Sequence, residues 1–379
     1  MSKGTVIYFG NFEMPDKDAS AHRVLNNAKI FKKIGYSVSF CGVDKSSGKK
    51  ALIKNFDGFI SSPRKYPKNS LEWIKDMVSF SYYRSMIDSS KNVKFVILYD
   101  FHAIPFLRIY NYCHKKGIKV LADITEWYEN SFSIKPGKLI RWLDTNIMMK
   151  CLYKKVDGMI VISDYLKQYY SKKVPYIVII PPLVDITQDI WTQKSINDSE
   201  LIEFVYSGST NSTKDKLGEI VDSFSSINSD KKYLLSIYGL TLEQFNMYFS
   251  ENMHSLEKIK NNVRFKGYVS HKESIAALIR ADYCIFIRDR SRKNMAGFPT
   301  KFVESYTSGI NIIASNVSDI MQYFPKEKNN YLLKDGSMLR DVLEEVLCDK
   351  KGLISKQTRA TFDYHMWVTV MSEFMNNLY

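Results

Sequence analysis

The sequence predicts an α/β protein made of two Rossmann-like halves, each of about 180 residues. Short apolar runs alternate with stretches of helical spacing from the N-terminus onward, a pattern typical of a doubly wound parallel sheet. Two prolines and a polar tail interrupt the alternation at residues 181–200, after which it restarts. The length of 379 residues, with 45% hydrophobic and 25% charged residues, suits two ordinary globular domains.

The first half opens with a β-loop-α-β unit. Residues 4–10 form an apolar run that ends in glycine, as a buried strand would. Residues 20–34 place apolar side chains at helical spacing, Gly35 follows as a cap, and residues 36–42 form the next strand. Further strands are predicted at residues 95–99, 120–124, 158–162 and 177–180.

The second half repeats this alternation. Strands are predicted at residues 204–208, 233–239, 263–267, 283–288 and 311–315. Helices are predicted at residues 217–227, 241–250, 271–280 and 299–308. The sequence thus predicts two domains, residues 1–185 and 186–355, followed by an amphipathic C-terminal helix within residues 356–379.

The chain carries 54 basic and 40 acidic residues, a formal net charge of +14 that favours an anionic partner such as nucleotide phosphate or an acidic membrane leaflet. It has no zinc-finger spacing and no RNP-like strand, so we expect no nucleic-acid partner. We expect no signal peptide and no membrane-spanning helix, because no apolar run is long enough. Five scattered cysteines predict buried free thiols in a cytoplasmic protein.

The most informative segment is GFPTKFVESYTSGINIIAS, residues 297–315. Pro299 is well placed to open a helix there. Three residues of the first turn would offer free backbone N–H groups to a diphosphate, with help from the helix dipole and a lysine ammonium. These residues are Thr300, Lys301 and Phe302. An ordinary Rossmann helix with a glycine cap would give the same pattern.

Glu304 lies about one turn further along, where its carboxylate could accept hydrogen bonds from ribose hydroxyls. With the strand that follows Gly309, the segment resembles the C-terminal signature of family 4 glycosyltransferases, in which a Glu-x7-Glu motif precedes a Gly-Pro-Val-Ile-type strand. Glu304 matches the second glutamate, which in that family contacts the ribose. Ala296 stands at the first glutamate, which contacts the transferred sugar. The run Ala-Gly-Phe-Pro-Thr-Lys-Phe, residues 296–302, resembles the sequences of a branch of this family that is used in surface-polysaccharide assembly.

This resemblance implies the GT-B fold, with two Rossmann-like domains facing a central cleft and a C-terminal helix that crosses back to the N-terminal domain. It implies a retaining glycosyltransferase that moves a sugar from a UDP- or GDP-linked donor to a saccharide or lipid-linked saccharide acceptor. The N-terminal domain would bind the acceptor and the C-terminal domain the nucleotide sugar. We expect no metal or other cofactor, because the helix dipole and basic side chains take the place of a metal.

Two other classes share this architecture. A nucleotide-sugar 2-epimerase would need no acceptor. A non-catalytic GT-B subunit would bind nucleotide sugar and regulate a partner, and Ala296 keeps that alternative open. A nicotinamide dehydrogenase is disfavoured because no G-x-G-x-x-G follows the first strand.

Further donor-binding positions follow from the resemblance. In YSGSTNSTKDKLGEIVDSF, Gly208 matches the glycine that precedes a basic diphosphate clamp, and Lys214 or Lys216 is the clamp. Tyr268 lies in the stretch that packs beside the base. Arg288 is the first of three arginines that could point at phosphate or sugar. Solvated lysines and a solvated basic loop are the alternatives.

In the N-terminal half, VLADITEWYEN, residues 120–130, resembles the family's strand that ends at the catalytic pocket. Asp123 and Glu126 match acidic positions of an Asp-x-Arg-Asp-Leu-Trp form, and we expect both to contact the donor sugar or the acceptor. The alternative is a helix capped by Thr125, with Glu126 in its first turn. His22 could act as general base on an acceptor hydroxyl. A structural role is expected for His102.

Two basic segments could contact an anionic membrane peripherally, at residues 61–85 and 133–155. Each interleaves lysine and arginine with large apolar side chains. If the acceptor is lipid-linked, these segments would meet the bilayer on its cytoplasmic face. The alternative is a pair of core-facing helices with lysine-rich outer surfaces.

Overall fold

Two sheets, one in each of two units, organise the chain, and all but one of their strand pairs are parallel. The computed structural model describes residues 2–15, 17–46, 53–129, 132–191, 201–208, 214–227, 232–334, 338–348 and 358–378. The first unit comprises Met1–Leu183 and Asp363–Tyr379, and the second comprises Val184–Phe362. Parts of two predicted segments, residues 192–200 and 356–357, lie outside the described residues, as does residue 130.

The first unit holds a sheet of eight strands and a separate two-stranded ribbon. Its strands are β1 (Thr5–Gly10), β2 (Ser37–Cys41), β3 (Val43–Asp44), β4 (Lys54–Phe56), β5 (Phe59–Ser61), β6 (Arg64–Lys65), β7 (Val93–Tyr99), β8 (Lys119–Ile124), β9 (Gly158–Val161) and β10 (Ile177–Ile179). The sheet order is β10-β9-β8-β7-β1-β2-β5-β4, and β3 pairs with β6. Only β4 and β5, among these pairs, run antiparallel.

Six helices connect these strands. They are α1 (Ala19–Lys33), α2 (Ser70–Val78), α3 (Ser81–Ser89), α4 (Ala103–Lys115), α5 (Pro136–Lys150) and α6 (Asp164–Tyr170). The Asp18 carboxylate fixes the start of α1 by accepting a hydrogen bond from the Ala21 amide at 2.8 Å. Val24, Ala28 and Phe31 are fully buried on the inner face of α1 and pack in the core of this unit.

The second unit holds six parallel strands in the order β13-β12-β11-β14-β15-β16. These strands are β11 (Ile202–Ser207), β12 (Tyr233–Tyr238), β13 (Val263–Gly267), β14 (Tyr283–Phe286), β15 (Asn311–Ser315) and β16 (Tyr331–Leu333). Its helices are α7 (Leu217–Ser225), α8 (Leu242–Tyr248), α9 (Met253–Lys258), α10 (His271–Arg280), α11 (Arg292–Ala296), α12 (Thr300–Ser308), α13 (Ile320–Tyr323) and α14 (Leu339–Cys348).

The C-terminal helix, α15 (Val368–Asn376), belongs to the first unit. Met371 and Phe374 of α15 are buried in the core that also holds the inner face of α1. Gly158 at the start of β9 makes room for this packing, since a Cβ there would lie 2.7 Å from a methyl of Leu378 and 3.1 Å from the Phe374 ring. The C-terminal segment therefore returns to the first sheet, as the resemblance implied.

The predicted strands are present, each within two residues of its predicted ends. Helices α1, α7, α8, α10 and α12 match the helical predictions. The sequence did not predict the β3–β6 ribbon, the β4–β5 hairpin or β16. Among the helices of the described residues, none is both long and apolar enough to cross a lipid bilayer.

The expectation of five buried thiols is wrong for two of them. Cys41, Cys113 and Cys284 are buried, whereas Cys151 and Cys348 are exposed. Cys151 caps the C-terminal end of α5, and Cys348 is the last residue of α14. Helix ends lie at the surface because their last carbonyl groups need water or a cap.

Candidate functional site

Three chain segments converge beside the carboxyl ends of β11 and β14, which are neighbours in the second sheet. Gly208 directly follows β11, and Arg288 lies two residues beyond β14. Residues 214–216 run antiparallel to this end: Asp215 bridges to Arg288, and the Lys216 amide donates to the Ile287 carbonyl at 2.8 Å. Ligands of open α/β sheets bind at this edge, so it is the first place to look for a site.

Asp215 holds two cations and a phenol at this edge. Arg288 Nε donates to Asp215 Oδ1 at 2.6 Å, and Lys301 Nζ donates to Oδ2 at 2.5 Å. The Tyr206 hydroxyl, from β11, donates to the same Oδ2 at 2.8 Å. Asp215 and Lys301 are buried, with 5% and 8% of their surface exposed. One carboxylate thus pairs with two positive groups, both of which the sequence predicts near the donor, and the cluster keeps a net positive charge.

Burial and charge oppose each other in this cluster. Burial raises the pKa of the Asp215 carboxyl, but the charges of Lys301 and Arg288 outweigh burial and hold that pKa well below its usual range. Burial lowers the pKa of the Lys301 ammonium, and the Asp215 charge offsets only part of this shift. An ammonium that is short of solvation gains most from a further anion, and a diphosphate would supply one.

Gly208 leaves space that no other residue would leave. A Cβ at Gly208 would lie 2.5 Å from the Tyr206 hydroxyl oxygen and 3.0 Å from Lys301 Nζ. The Lys301 ammonium also lies 4.2 Å from the centre of the Tyr206 ring, close enough for a cation–π contact. A side chain at position 208 would therefore press on both the Tyr206 hydroxyl and the Lys301 ammonium.

Helix α12 begins next to this cluster. The sequence predicts three free backbone amides in its first turn, but one of them is already hydrogen-bonded. The Phe302 amide donates to the Pro299 carbonyl at 3.0 Å, because the first turn closes as a tight i→i−3 turn. Pro299 is the residue before the helix and not its first residue. The Phe302 ring is fully buried beside Phe298 and Phe362. Phe302 is therefore a packing residue, and the prediction of a free Phe302 amide is wrong.

Glu304 lies further along α12, where its side chain is 17% exposed. His271 Nε2, at the start of α10, lies 3.1 Å from Glu304 Oε1. Sequence reasoning missed His271. The local signal was present in part: Ser270 and Glu273 form a capping box that fixes the first residue of α10. The contact with Glu304 depends on packing of two helices, which no local pattern shows.

Of the other predicted donor residues, Lys214 and Lys216 are half-buried and Tyr268 is exposed. Lys216 Nζ pairs with Glu219 Oε1 at 3.1 Å on the surface. The Lys214 carbonyl accepts a hydrogen bond from Asn294 Nδ2 at 3.4 Å. Tyr268 follows β13 and is 90% exposed. The structure therefore joins Gly208, Arg288 and Lys301 in one cluster, and it directs Lys216 to a surface partner.

In the first unit, Asp123 lies inside the fold and does not emerge at a strand end. Arg23 donates from Nε and Nη2 to Asp123 Oδ1 at 2.9 and 2.8 Å. The Tyr8 hydroxyl and Asn27 Nδ2 donate to Oδ2 at 2.9 and 3.1 Å. Asp123 is 1% exposed. Contact with a sugar does not fit this burial, because four donors from β1 and α1 already fill both oxygens.

Arg23 extends this network to another part of the first unit. Its Nη1 donates to the Ile180 carbonyl at 2.9 Å, directly after β10. Asp123 and Arg23 thereby tie β8, α1 and the end of β10 together. Asp123 is therefore a positioning residue, because it holds the Arg23 side chain, which in turn binds the backbone after β10.

Glu126 and His22 are half-buried in the first unit. Residues 125–129 form no helix, so the alternative of a capped helix at Thr125 is also wrong. Thr125 Oγ1 instead lies within hydrogen-bond distance of the Tyr99 and Tyr128 hydroxyls, at 3.3 and 3.2 Å. His102 has the structural role expected of it, because its Nδ1 lies 2.7 Å from Asp144 Oδ2.

Comparisons with known proteins identify the fold and the family that the second half matches. Residues 187–361 match the family model described as glycosyl transferases group 1. A search of curated protein sequences gives no significant match. Among solved structures, sucrose-phosphate synthase from Thermosynechococcus elongatus superposes with a TM-score of 0.72 at 13% identity, over 99% of this chain and 99% of that chain.

Two further structures show the same fold over the full chain. HepE from Anabaena, in complex with UDP and glucose, has a TM-score of 0.64 at 13% identity and covers 98% of this chain and 99% of that chain. The lipopolysaccharide outer core galactosyltransferase WaaB has a TM-score of 0.58 at 15% identity, with 99% and 98% covered. This protein is a glycosyltransferase with the GT-B fold, and its residues 187–361 match the glycosyl transferases group 1 family.

Proposed function

We propose that this enzyme transfers a sugar, with retention at the anomeric carbon, from a nucleotide sugar bound by the second unit to a saccharide acceptor bound by the first. The observation that carries the proposal is the cluster of Lys301 and Arg288 on Asp215, packed against Gly208 at the carboxyl edge of the second sheet. The leaving nucleoside diphosphate gains negative charge as the glycosidic bond breaks. Preorganised cations at that position stabilise the charge where it develops.

The donor would lie along the carboxyl edge of the second sheet. Lys301 and Arg288 would exchange part of their bonding to Asp215 for bonds to the diphosphate, and the Thr300 and Lys301 amides would add the positive end of α12. Glu304 would accept from the ribose hydroxyls, as the matching glutamate does in the family. Because these groups supply the positive charge, we propose a donor site that uses no metal ion.

UDP is the first nucleotide to test, since structures of this fold hold UDP with glucose and UDP-2-fluoro glucose, and GDP is the second. We propose that the acceptor is a growing surface polysaccharide or glycan, free or lipid-linked. For a lipid-linked acceptor, we propose that the reaction takes place at the cytoplasmic face of a membrane, with peripheral contact through the first unit.

The test measures donor binding and turnover together. Thermal shift across UDP- and GDP-sugars identifies the donor, because a specific ligand raises the unfolding temperature by mass action. With that donor, Glu304→Ala should lose most of the shift, whereas Glu219→Ala, at an exposed carboxylate, should keep it. NMR of the glycoside product should show the anomeric configuration of the donor.

Several outcomes would overturn the proposal. If the protein bound no nucleotide sugar, the proposed donor site would be disproved. If the Glu304→Ala variant bound the donor as well as wild type does, the proposed ribose contact would be disproved. Release of free nucleotide with an epimerised sugar, independent of any acceptor, would show the 2-epimerase class. An inverted product would remove the retaining mechanism.

A further inference from the structure

The two basic segments, residues 61–85 and 133–155, contain the neighbouring helices α2 and α5, and each helix has apolar side chains on its solvent-exposed face. Helix α2 exposes Leu71, Ile74 and Val78, at i, i+3 and i+7, by 73%, 54% and 38%. Helix α5 exposes Ile140, Leu143 and Ile147 at the same spacing, by 45%, 44% and 42%. Aliphatic stripes at this spacing normally face a core. Here both stripes point outward.

A groove of about 770 Å³ lies between the two helices. Trp73, Ile74 and Met77 line it from α2, and Ile140 lines it from α5. The Arg141 guanidinium lies 4.4 Å from the centre of the Trp73 ring and so connects the helices across the groove. The groove is therefore apolar inside, with a cation above its aromatic wall.

The rim of the groove is basic. Lys68, Lys135, Lys138 and Arg141 line it and are exposed. The acidic residues of α2 and α5 bond to other groups of the first unit. Glu72 accepts from the Lys68 amide at 2.8 Å, Asp76 from Arg64 at 2.7 Å, and Asp144 from the Ala103 amide at 2.8 Å. Among the described residues that line the groove, four are cations and none is a carboxylate, so the rim itself is positively charged.

The turn before α5 adds two large apolar side chains. Phe132 and Ile134 are 64% and 84% exposed. The Phe132 ring packs edge-on against Trp142, at 5.3 Å between centres, which holds it beside α5. Apolar side chains that project beyond a row of lysines are typical of helices that lie in the headgroup region of a bilayer.

We propose that the α2–α5 groove docks on an anionic phospholipid bilayer and takes a lipid into it. Lys135, Lys138 and Arg141 bind lipid phosphates, while the aliphatic stripes of α2 and α5 enter the boundary between headgroups and acyl chains. An apolar interior with cations at its rim matches the acyl chain and the phosphate of a phospholipid, and for this reason we propose a lipid and not a protein as the partner. The inference rests on the proposed function in one respect, namely that a lipid-linked acceptor would reach the enzyme at this surface.

Vesicle co-sedimentation of the full chain tests the proposal. Wild type should bind vesicles of phosphatidylcholine with phosphatidylglycerol, bind pure phosphatidylcholine weakly, and dissociate as salt is raised. Lys135→Glu with Lys138→Glu should weaken binding at least about tenfold, since each lysine near an anionic surface is worth several-fold. Ile74→Ser with Leu143→Ser should weaken it comparably. Both pairs are exposed, and circular dichroism melts establish that the variants are folded.

The matched control is Lys91→Glu with Lys258→Glu, which makes the same charge change at exposed lysines outside the groove. This variant should bind vesicles within about twofold of wild type. Equal losses in the control and groove variants would show attraction by net charge alone and overturn the proposal. No binding by wild type, or equal binding to vesicles without phosphatidylglycerol, would overturn it as well.

Donor binding separates this inference from the proposed function. Thermal shift with the nucleotide sugar needs no membrane, so the groove variants should keep the wild-type shift. A protein that binds vesicles through the groove but no nucleotide sugar would disprove the transferase proposal alone. A protein that binds donor but no vesicles would disprove the docking proposal alone.

Discussion

Lys301 and Asp215 form a buried ion pair in the second unit, with Lys301 Nζ 2.5 Å from Asp215 Oδ2. Arg288 completes the cluster from the other oxygen at 2.6 Å. The carboxylate sets the positions of both cations before any donor binds, so binding needs little side-chain ordering. The same carboxylate competes with the diphosphate for the two cations. Asp215 thus fixes the positions of Lys301 and Arg288 and also weakens their electrostatic attraction for the donor diphosphate.

Asp215→Asn should strongly destabilise the fold. The amide keeps the shape of the carboxylate but leaves Lys301 and Arg288 without their common anion, and breaking a buried pair typically costs about 3 to 5 kcal/mol. The free energy of unfolding from urea titration measures the loss. Glu219→Gln is the control, because it removes a surface partner of Lys216 and should cost less than about 1 kcal/mol.

The pH dependence of that loss is a second check on the same pair. The pKa of Asp215 is depressed in the fold, so its contribution is complete above the ordinary Asp pKa of about 3.9 and is lost as the pH falls below it. The difference between wild type and Asp215→Asn should therefore be constant near neutral pH and shrink in acid. A difference that grew in acid would contradict the ion pair.

Gly208→Ala should weaken donor binding at least about tenfold. The new methyl would collide with the Tyr206 hydroxyl oxygen at 2.5 Å and displace the Lys301 ammonium at 3.0 Å. Isothermal titration with UDP or GDP measures the dissociation constant. Gly137→Ala is the matched control, since a Cβ at Gly137 meets nothing within 4 Å. Unchanged affinity in Gly208→Ala would argue against a diphosphate beside Lys301.

Much of the fold was readable because buried parallel strands are apolar runs bounded by glycine or polar residues. The missed elements lack that signal. Strand β4 is Lys-Asn-Phe, and it pairs with β5 through a two-residue turn at Asp57 and Gly58, both with positive φ. The Asp-Gly dipeptide is a known hairpin signal, and it was the one local feature that could have predicted this pair.

The candidate site was readable only in part, because its partners are far apart in sequence. The segment around Lys301 was visible as a helix start, but Asp215 meets Lys301 across 86 residues and no spacing rule selects it. Likewise Arg23 and Asp123 are 100 residues apart. A strand-end carboxylate looks the same in sequence whether it faces solvent or a buried arginine, so the sequence predicts the wrong environment for Asp123.

Thiol chemistry should separate two classes of cysteine. Burial raises the pKa of Cys284 to about 11 and the pKa values of Cys41 and Cys113 to about 12, so these thiols stay protonated in mild alkali. A disulfide reagent at about pH 8 attacks thiolates and should label Cys151 and Cys348 rapidly. In denaturant all five should react. Rapid labelling of a third thiol in the native protein would contradict this packing.

Transferase activity should persist in excess chelator, within about twofold of the untreated rate. Lys301 and Arg288 already supply positive charge where the diphosphate would lie. Among the described residues, no three histidine, cysteine, aspartate or glutamate side chains come close enough to share a metal ion. Initial rates with and without EDTA measure the effect. Loss of activity on chelation, restored by Mg²⁺ or Mn²⁺, would show a metal in the donor site and overturn the proposed metal-free mechanism.

Asp123→Asn distinguishes a positioning role from contact with the sugar. The amide leaves the buried Arg23 guanidinium without its anion, so we expect a loss of about 3 to 5 kcal/mol in the free energy of unfolding. Donor affinity should remain within about twofold of wild type, because the donor is bound by the second unit. Arg23→Gln together with Asp123→Asn should recover part of the stability, since the double change removes both buried charges. A variant with wild-type stability and a large fall in kcat would instead assign Asp123 to the reaction itself.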